Sequence, residues 1–280
     1  MGTDWDRFNV NAARVKRFGY NLSVPKYLLG VESYLSLSCA AQGMKLLPRV
    51  QEIAWIQDDD VYPFITLLLS HTVRNLSLCL EYGLNVNQLQ VRMRLSLLPL
   101  IVTLSPHLTQ LTLRYFGCNR SDFAEAFGTP QLWSSLQCLQ LYACPEISLA
   151  MLCKFSNLRE LWLHCRSSPF EIIPLPQFCS GFPQLQILKI WGFSKSVITL
   201  TKIMHNASLQ SFVLRFPAVP VPHADHLTHL FNGMREGQMA HSSLRTVRLH
   251  HDASRKKTES TASLRPLTLK DMSGLLVSPS

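Results

Sequence analysis

One spacing constrains this chain more than any other feature. The stretch Asn157-Leu158-Arg159-Glu160-Leu161-Trp162-Leu163-His164-Cys165 carries the pattern Leu-x-x-Leu-x-Leu, and the pattern returns along the chain. Copies stand at Val73-x-x-Leu76-x-Leu78, Leu108-x-x-Leu111-x-Leu113, Leu136-x-x-Leu139-x-Leu141 and Leu185-x-x-Leu188-x-Ile190. Others are Leu209-x-x-Phe212-x-Leu214, Leu244-x-x-Val247-x-Leu249 and Leu264-x-x-Leu267-x-Leu269. Weaker copies begin at Val15-x-x-Phe18-x-Tyr20 and Val50-x-x-Ile53-x-Trp55. Successive units start 20 to 35 residues apart, which scatters around the length of a leucine-rich repeat.

The spacing predicts an α/β fold, a leucine-rich-repeat solenoid of about nine to ten irregular repeats. Each Leu-x-x-Leu-x-Leu segment is expected on a short parallel strand of a curved sheet on the concave side, its apolar positions inward. A parallel neighbour needs a crossover, so helices are expected on the convex side. Candidate helices are 27–35, 61–69 (after Asp58-Asp59-Asp60), 123–127, 147–155, 197–204 and 224–234. Surplus residues in the three 35-residue intervals are expected to project as loops. The whole chain, 1–280, reads as one repeat domain. A polar stretch at 251–263, with Arg255-Lys256-Lys257, is expected as a mobile loop.

Composition narrows the function classes. Hydrophobic residues at 47% are ample for a core. The longest apolar run, Leu97 to Leu104, is broken by Pro99 and falls short of a ~20-residue membrane span. Charges at Asp4, Asp6 and Arg7 stand where a signal peptide needs an apolar run, so an intracellular protein, cytoplasmic or nuclear, is expected. The eight cysteines show no Cys-x-x-Cys pair and are read as reduced thiols filling small core spaces. The net charge of +9 is dispersed, which suits mildly acidic proteins as well as nucleic acid.

No catalytic constellation converges, and no cofactor or metal is expected. There is no phosphate-cradling glycine loop and no nucleophile elbow beside His250-His251-Asp252. His223-x-x-His226-x-x-His229 turns its third histidine away from the first two on a helix. Asn75-Leu76-Ser77 and Asn206-Ala207-Ser208 match a glycosylation sequon by chance on this reading.

One unit carries a more particular signature. Leu136-Gln137-Cys138-Leu139-Gln140-Leu141-Tyr142-Ala143-Cys144-Pro145-Glu146-Ile147-Ser148 resembles the cysteine-containing leucine-rich repeat of F-box proteins. The runs Arg14 to Phe18, Pro25 to Leu29, Leu46 to Trp55 and Leu97-Leu98-Pro99 are similar to the repeat region of fungal, mainly basidiomycete, F-box proteins. The resemblance spans roughly residues 8 to 278. It implies the substrate-recognition subunit of a Skp–cullin–F-box ubiquitin ligase, in which an F-box grips the adaptor and the repeats hold the protein to be ubiquitylated. The residues before Val15 are too few for an F-box, so a repeat region without that element is expected, as in a fragment or truncated member. Adaptor and cullin would then join only through a longer form.

Strand geometry also names a candidate surface. Residues flanking the inward leucines point to the opposite, concave face. In the middle units these are Cys138, Gln140 and Tyr142; Glu160, Trp162 and His164; and Ile187, Lys189 and Trp191. Ser211, Val213 and Arg215, then Thr246, Arg248 and His250, follow. Tyr142, Glu160, Trp162, His164 and Trp191 with Lys189, Arg215 and Arg248 have the composition of a protein-binding hot spot. The alternative at this stage is that loops, or a register shifted by one residue, bury them. A nucleic-acid-binding solenoid and a scaffold with no ligase role are the other functional readings.

Overall fold

The computed structural model describes residues 2–19, 30–41, 43–55, 59–79, 88–114, 126–142, 152, 154–164, 182–192, 208–216 and 244–251. The chain divides into two compact units, Met1–Leu141 and Tyr142–Ser280. In the first, helix α1 (Gly2–Ala12) leads into β1 (Arg17–Gly19), β2 (Glu52–Trp55), β3 (Asn75–Cys79), β4 (Gln110–Arg114) and β5 (Cys138–Tyr142), whose last residue, Tyr142, belongs to the second unit. The second contains β6 (Glu160–His164), β7 (Ile187–Trp191), β8 (Ser211–Phe216) and β9 (Thr246–His251). Within each unit the strands lie side by side in chain order. The pairs β1–β2, β2–β3, β3–β4, β6–β7, β7–β8 and β8–β9 are parallel. The fold is α/β, with parallel strands and few helices among the described residues.

Alternation along each strand builds the core. In β5 and β6 every second residue is buried, and the others are half-exposed. Ile53, Leu76 and Leu111 stand in one register column, and Leu161, Leu188, Phe212 and Val247 in another. All seven are buried. Each fully buried side chain of this size contributes roughly 1.5–3 kcal/mol relative to exposure. Trp55 is buried at an inward position, against Phe18 and the edge of Tyr34.

A second regularity lies one turn upstream of seven of the nine strands, β1 to β7. The N–H groups of Val15, Val50, Val73, Leu108, Leu136, Leu158 and Leu185 each donate to the carbonyl three residues earlier, at 2.9–3.2 Å. The acceptors belong to Ala12, Leu47, Ser70, Ser105, Trp133, Phe155 and Phe182, all buried. The tight turn therefore sends a further side chain into the core. One residue past each turn, a carbonyl accepts two N–H groups of the next strand's entry. Lys16, Gln51, Arg74, Thr109, Arg159, Gln186 and Gln210 do this, at 2.8–3.1 Å. The forked bond sets strand register before the strand begins.

The crossovers differ from expectation. The first described helix after β1 is α2 (Val31–Ala41), whereas the periodicity suggests 27–35; residues 20–29 lie outside the described residues. The segment expected as a helix over 61–69 is a 3₁₀ helix, Asp59–Leu67, with Pro63 inside it. Proline supplies no N–H and clashes with the preceding turn, so an α-helix is disfavoured there. Between β3 and β4, where a projecting loop is expected, the chain forms α3 (Gln88–Ser96) and α4 (Leu98–Leu104). Pro99 sits in the first turn of α4, where a missing N–H costs nothing. A short 3₁₀ helix, Pro130–Trp133, precedes β5. The expected helices at 123–127, 147–155, 197–204 and 224–234 lie wholly or mostly outside the described residues. So do the loop at 251–263, apart from His251, the unit at 264 and the histidines at 223, 226 and 229.

Placement is mixed among the three described cysteines, and the cysteines at 118, 144, 153, 165 and 179 lie outside the described residues. Cys79 is buried, Cys138 half-buried and Cys39 exposed on α2. Cys39 therefore fills no core space, because its helix turns it to solvent.

Candidate functional site

The period-two alternation that buries Leu161, Leu163, Leu188 and Ile190 turns their neighbours to the opposite face. Register then sorts these neighbours into rows. The first is Glu160, Ile187, Ser211 and Thr246; the second is Trp162, Lys189, Val213 and Arg248. The third is His164, Trp191, Arg215 and His250. Adjacent members of a row are about 4.8 Å apart, the strand spacing.

Two clusters form on these rows. In the third, Tyr142 meets His164 edge-on at 5.6 Å, and His164 lies 4.3 Å from Trp191. The Arg215 guanidinium stands 5.6 Å from the Trp191 ring centre, within cation–π range. Four side chains thus abut in sequence across the face. In the second cluster, Lys189 Nζ sits 3.7 Å above the Trp162 ring and 3.1 Å from Glu160 Oε1. The same oxygen accepts the Trp162 Nε1–H at 2.6 Å. Glu160 therefore ties ring and ammonium together. The ion pair is partly exposed, so by itself it contributes no more than about 1 kcal/mol. Its effect is mainly to hold Trp162 flat beneath Lys189.

All eight residues singled out by sequence are described, and seven fall into these two clusters. Arg248 stands apart, across from Val213 and two strands beyond Lys189. Trp191 is 37% exposed, and Trp162 is half-buried under Lys189. Exposure of both tryptophans, expected from alternation, holds fully only at Trp191.

The first unit has a further feature on its strand face that the sequence reading left aside. A groove of about 430 Å³ runs over β1 to β4. Its floor row is Gly19, Ala54, Ser77 and Thr112, and its flanking row is Arg17, Glu52, Asn75 and Gln110. Glu52 bonds Arg17 at 3.0 Å and accepts from Asn75 at 3.4 Å. Small floor residues make the groove, whereas Trp162 and Lys189 fill the equivalent row of β6 and β7. The signal was present: the same flanking positions, applied to the first four units, name these residues. Arg94 was also missed. It is buried, with Nη1 3.4 Å from the Cys79 carbonyl and its guanidinium 5.1 Å from the Tyr62 ring centre.

Among the described residues no three His, Cys, Asp or Glu side chains are grouped to hold a metal ion. No helix there is long and apolar enough to cross a membrane. No protein-family model, curated protein or solved structure matches the chain.

Proposed function

We propose that the chain is a non-enzymatic recognition module, a leucine-rich-repeat solenoid that holds a protein on its concave strand face. The contact residues are Tyr142, Glu160, Trp162, His164, Lys189, Trp191, Arg215 and Arg248. One observation carries this reading: aromatic and basic side chains stack from Tyr142 through His164 and the exposed Trp191 to Arg215 across successive strands. Such anchors, held rigid before binding, lose little entropy on association. The recurring turn before each of β1 to β7 supports the solenoid assignment, since identical backbone bonds repeat with the Leu-x-x-Leu-x-Leu units.

The cysteine-containing unit at 136–148 suggests the cellular setting. By that resemblance the module is the substrate-binding region of an F-box-type ubiquitin-ligase receptor, acting in the cytoplasm or nucleus. A longer form would supply the F-box that recruits adaptor and cullin. A repeat scaffold without a ligase role is the second reading, favoured if partners are captured without adaptor and cullin. Affinity purification of the tagged chain from its source cells, with mass spectrometry, separates the two. Trp162→Ala with Trp191→Ala is expected to reduce partner recovery by roughly thirtyfold or more, the effect of losing about 2 kcal/mol at a hot spot. Unchanged recovery contradicts the assigned face.

A further inference from the structure

We infer that Arg215 and Arg248 form a reading element for an acidic protein segment, one presenting two carboxylates on alternate residues beside an apolar side chain. The inference rests on the strand-face reading above and assigns the partner's chemistry.

Nine side chains of β7, β8 and β9 face the candidate surface: Lys189, Arg215 and Arg248 with Ile187, Trp191, Ser211, Val213, Thr246 and His250. None is a carboxylate. On β6 the one acid is Glu160, and it is already bound to Lys189 and Trp162. Lys189 is therefore answered from within the protein. Among the described residues Arg215 and Arg248 have no ion-pair partner. Both are exposed, on neighbouring strands.

Their placement limits the ligand further. Arg248 is in register with Val213, two residues before Arg215, so the two guanidiniums stand on a diagonal. Strand spacing and rise put their origins about 8 Å apart. In an extended peptide, side chains two residues apart share a face and are separated by about 6.6–7 Å. Two such carboxylates can meet both guanidiniums, each by a charge-assisted, bidentate contact. Trp191, stacked under Arg215 and partly exposed, offers an apolar neighbour's seat at the same end. Nucleic acid fits less well, because Glu160 stands on the same face and the aromatic rings other than Trp191 are covered by their neighbours.

The test is selection of a phage-displayed random dodecapeptide library on the full chain, followed by anisotropy titration of the enriched peptide. Acidic residues at alternate positions beside an aliphatic or aromatic one are expected. Arg215→Gln with Arg248→Gln is expected to weaken that peptide at least about tenfold and to flatten its salt dependence. Lys154→Gln, exposed and off this face, is the control expected to bind as wild type. Enriched peptides without acids, or an acidic peptide indifferent to the double arginine variant, overturn the inference. If the double tryptophan variant abolishes binding while the arginine variant does not, the strand-face reading survives and only the acidic ligand fails. If neither variant alters binding, or nothing is enriched, both fail. An oligothymidylate that binds more tightly than the selected peptide assigns the face to nucleic acid instead.

Discussion

Tyr62 carries its hydroxyl into the core of the first unit, where no described group receives it. Burial pushes its pKa well above the usual tyrosine value, and the Arg94 guanidinium over its ring opposes only part of that shift. The neutral form is thus favoured in the folded state. Below the unfolded tyrosine pKa of about 10 this has no effect on stability. Above it, the unfolded chain loses the proton and the folded one keeps it, so stability falls as pH rises. Tyr62→Phe is expected to abolish that alkaline loss and to leave neutral-pH stability equal or about 1 kcal/mol higher. Urea unfolding near pH 7 and above about pH 10 measures both effects. An unchanged alkaline slope in Tyr62→Phe contradicts the assignment.

Gly19 is a steric case at the same scale. A Cβ there would lie 2.6 Å from the Ala54 Cβ and 3.0 Å from its backbone N and O. Gly19→Ala is expected to push β1 from β2 and to destabilise by about 1–3 kcal/mol, read from the urea midpoint. Neither residue was marked by the sequence. Burial of Tyr62 depends on a 3₁₀ segment whose partners are distant in the chain, and the Gly19 contact depends on register with β2.

At the scale of elements, period-two alternation made the strands legible. The inward leucines differ chemically from Gln, Lys, Thr and Glu beside them, so the pattern shows through. The turn before each of β1 to β7 was not legible because its inward residue varies from Ala12 and Ser105 to Trp133 and Phe182. Backbone geometry, not side-chain type, is what recurs there. Trp133 packs 4.7 Å from Phe127 and is buried. Trp133→Ala is expected to cost about 3–5 kcal/mol, read by chemical denaturation, whereas an exposed turn residue would cost little. A loss under about 1 kcal/mol contradicts a core role for this position. Helices α3 and α4 escaped the sequence reading because Pro99 looks like an interruption within an apolar run. In the structure Leu97-Leu98-Pro99 is where one helix ends and another starts.

Across the whole molecule, the candidate surface was legible to the extent that alternation placed it. The sequence named Tyr142, Trp162, His164 and Trp191 as outward; Trp191 is exposed and the other three are half-buried. It did not separate Lys189, clamped by Glu160, from Arg215 and Arg248, because that difference depends on cross-strand neighbours 27 or more residues away. The groove over β1 to β4 has small residues in the row where the second unit has Trp162 and Lys189. One backbone scheme therefore presents two distinct faces through side-chain choice alone.

The proposed function requires the strand face of β6 to β9 to hold a protein. Parallel affinity purification of wild type and the Trp162→Ala, Trp191→Ala variant, quantified by mass spectrometry, tests it most directly. The expected result is a defined set of proteins whose recovery collapses in the variant while its thermal melt stays near wild type. Equal recovery of the same proteins by a folded variant would contradict it.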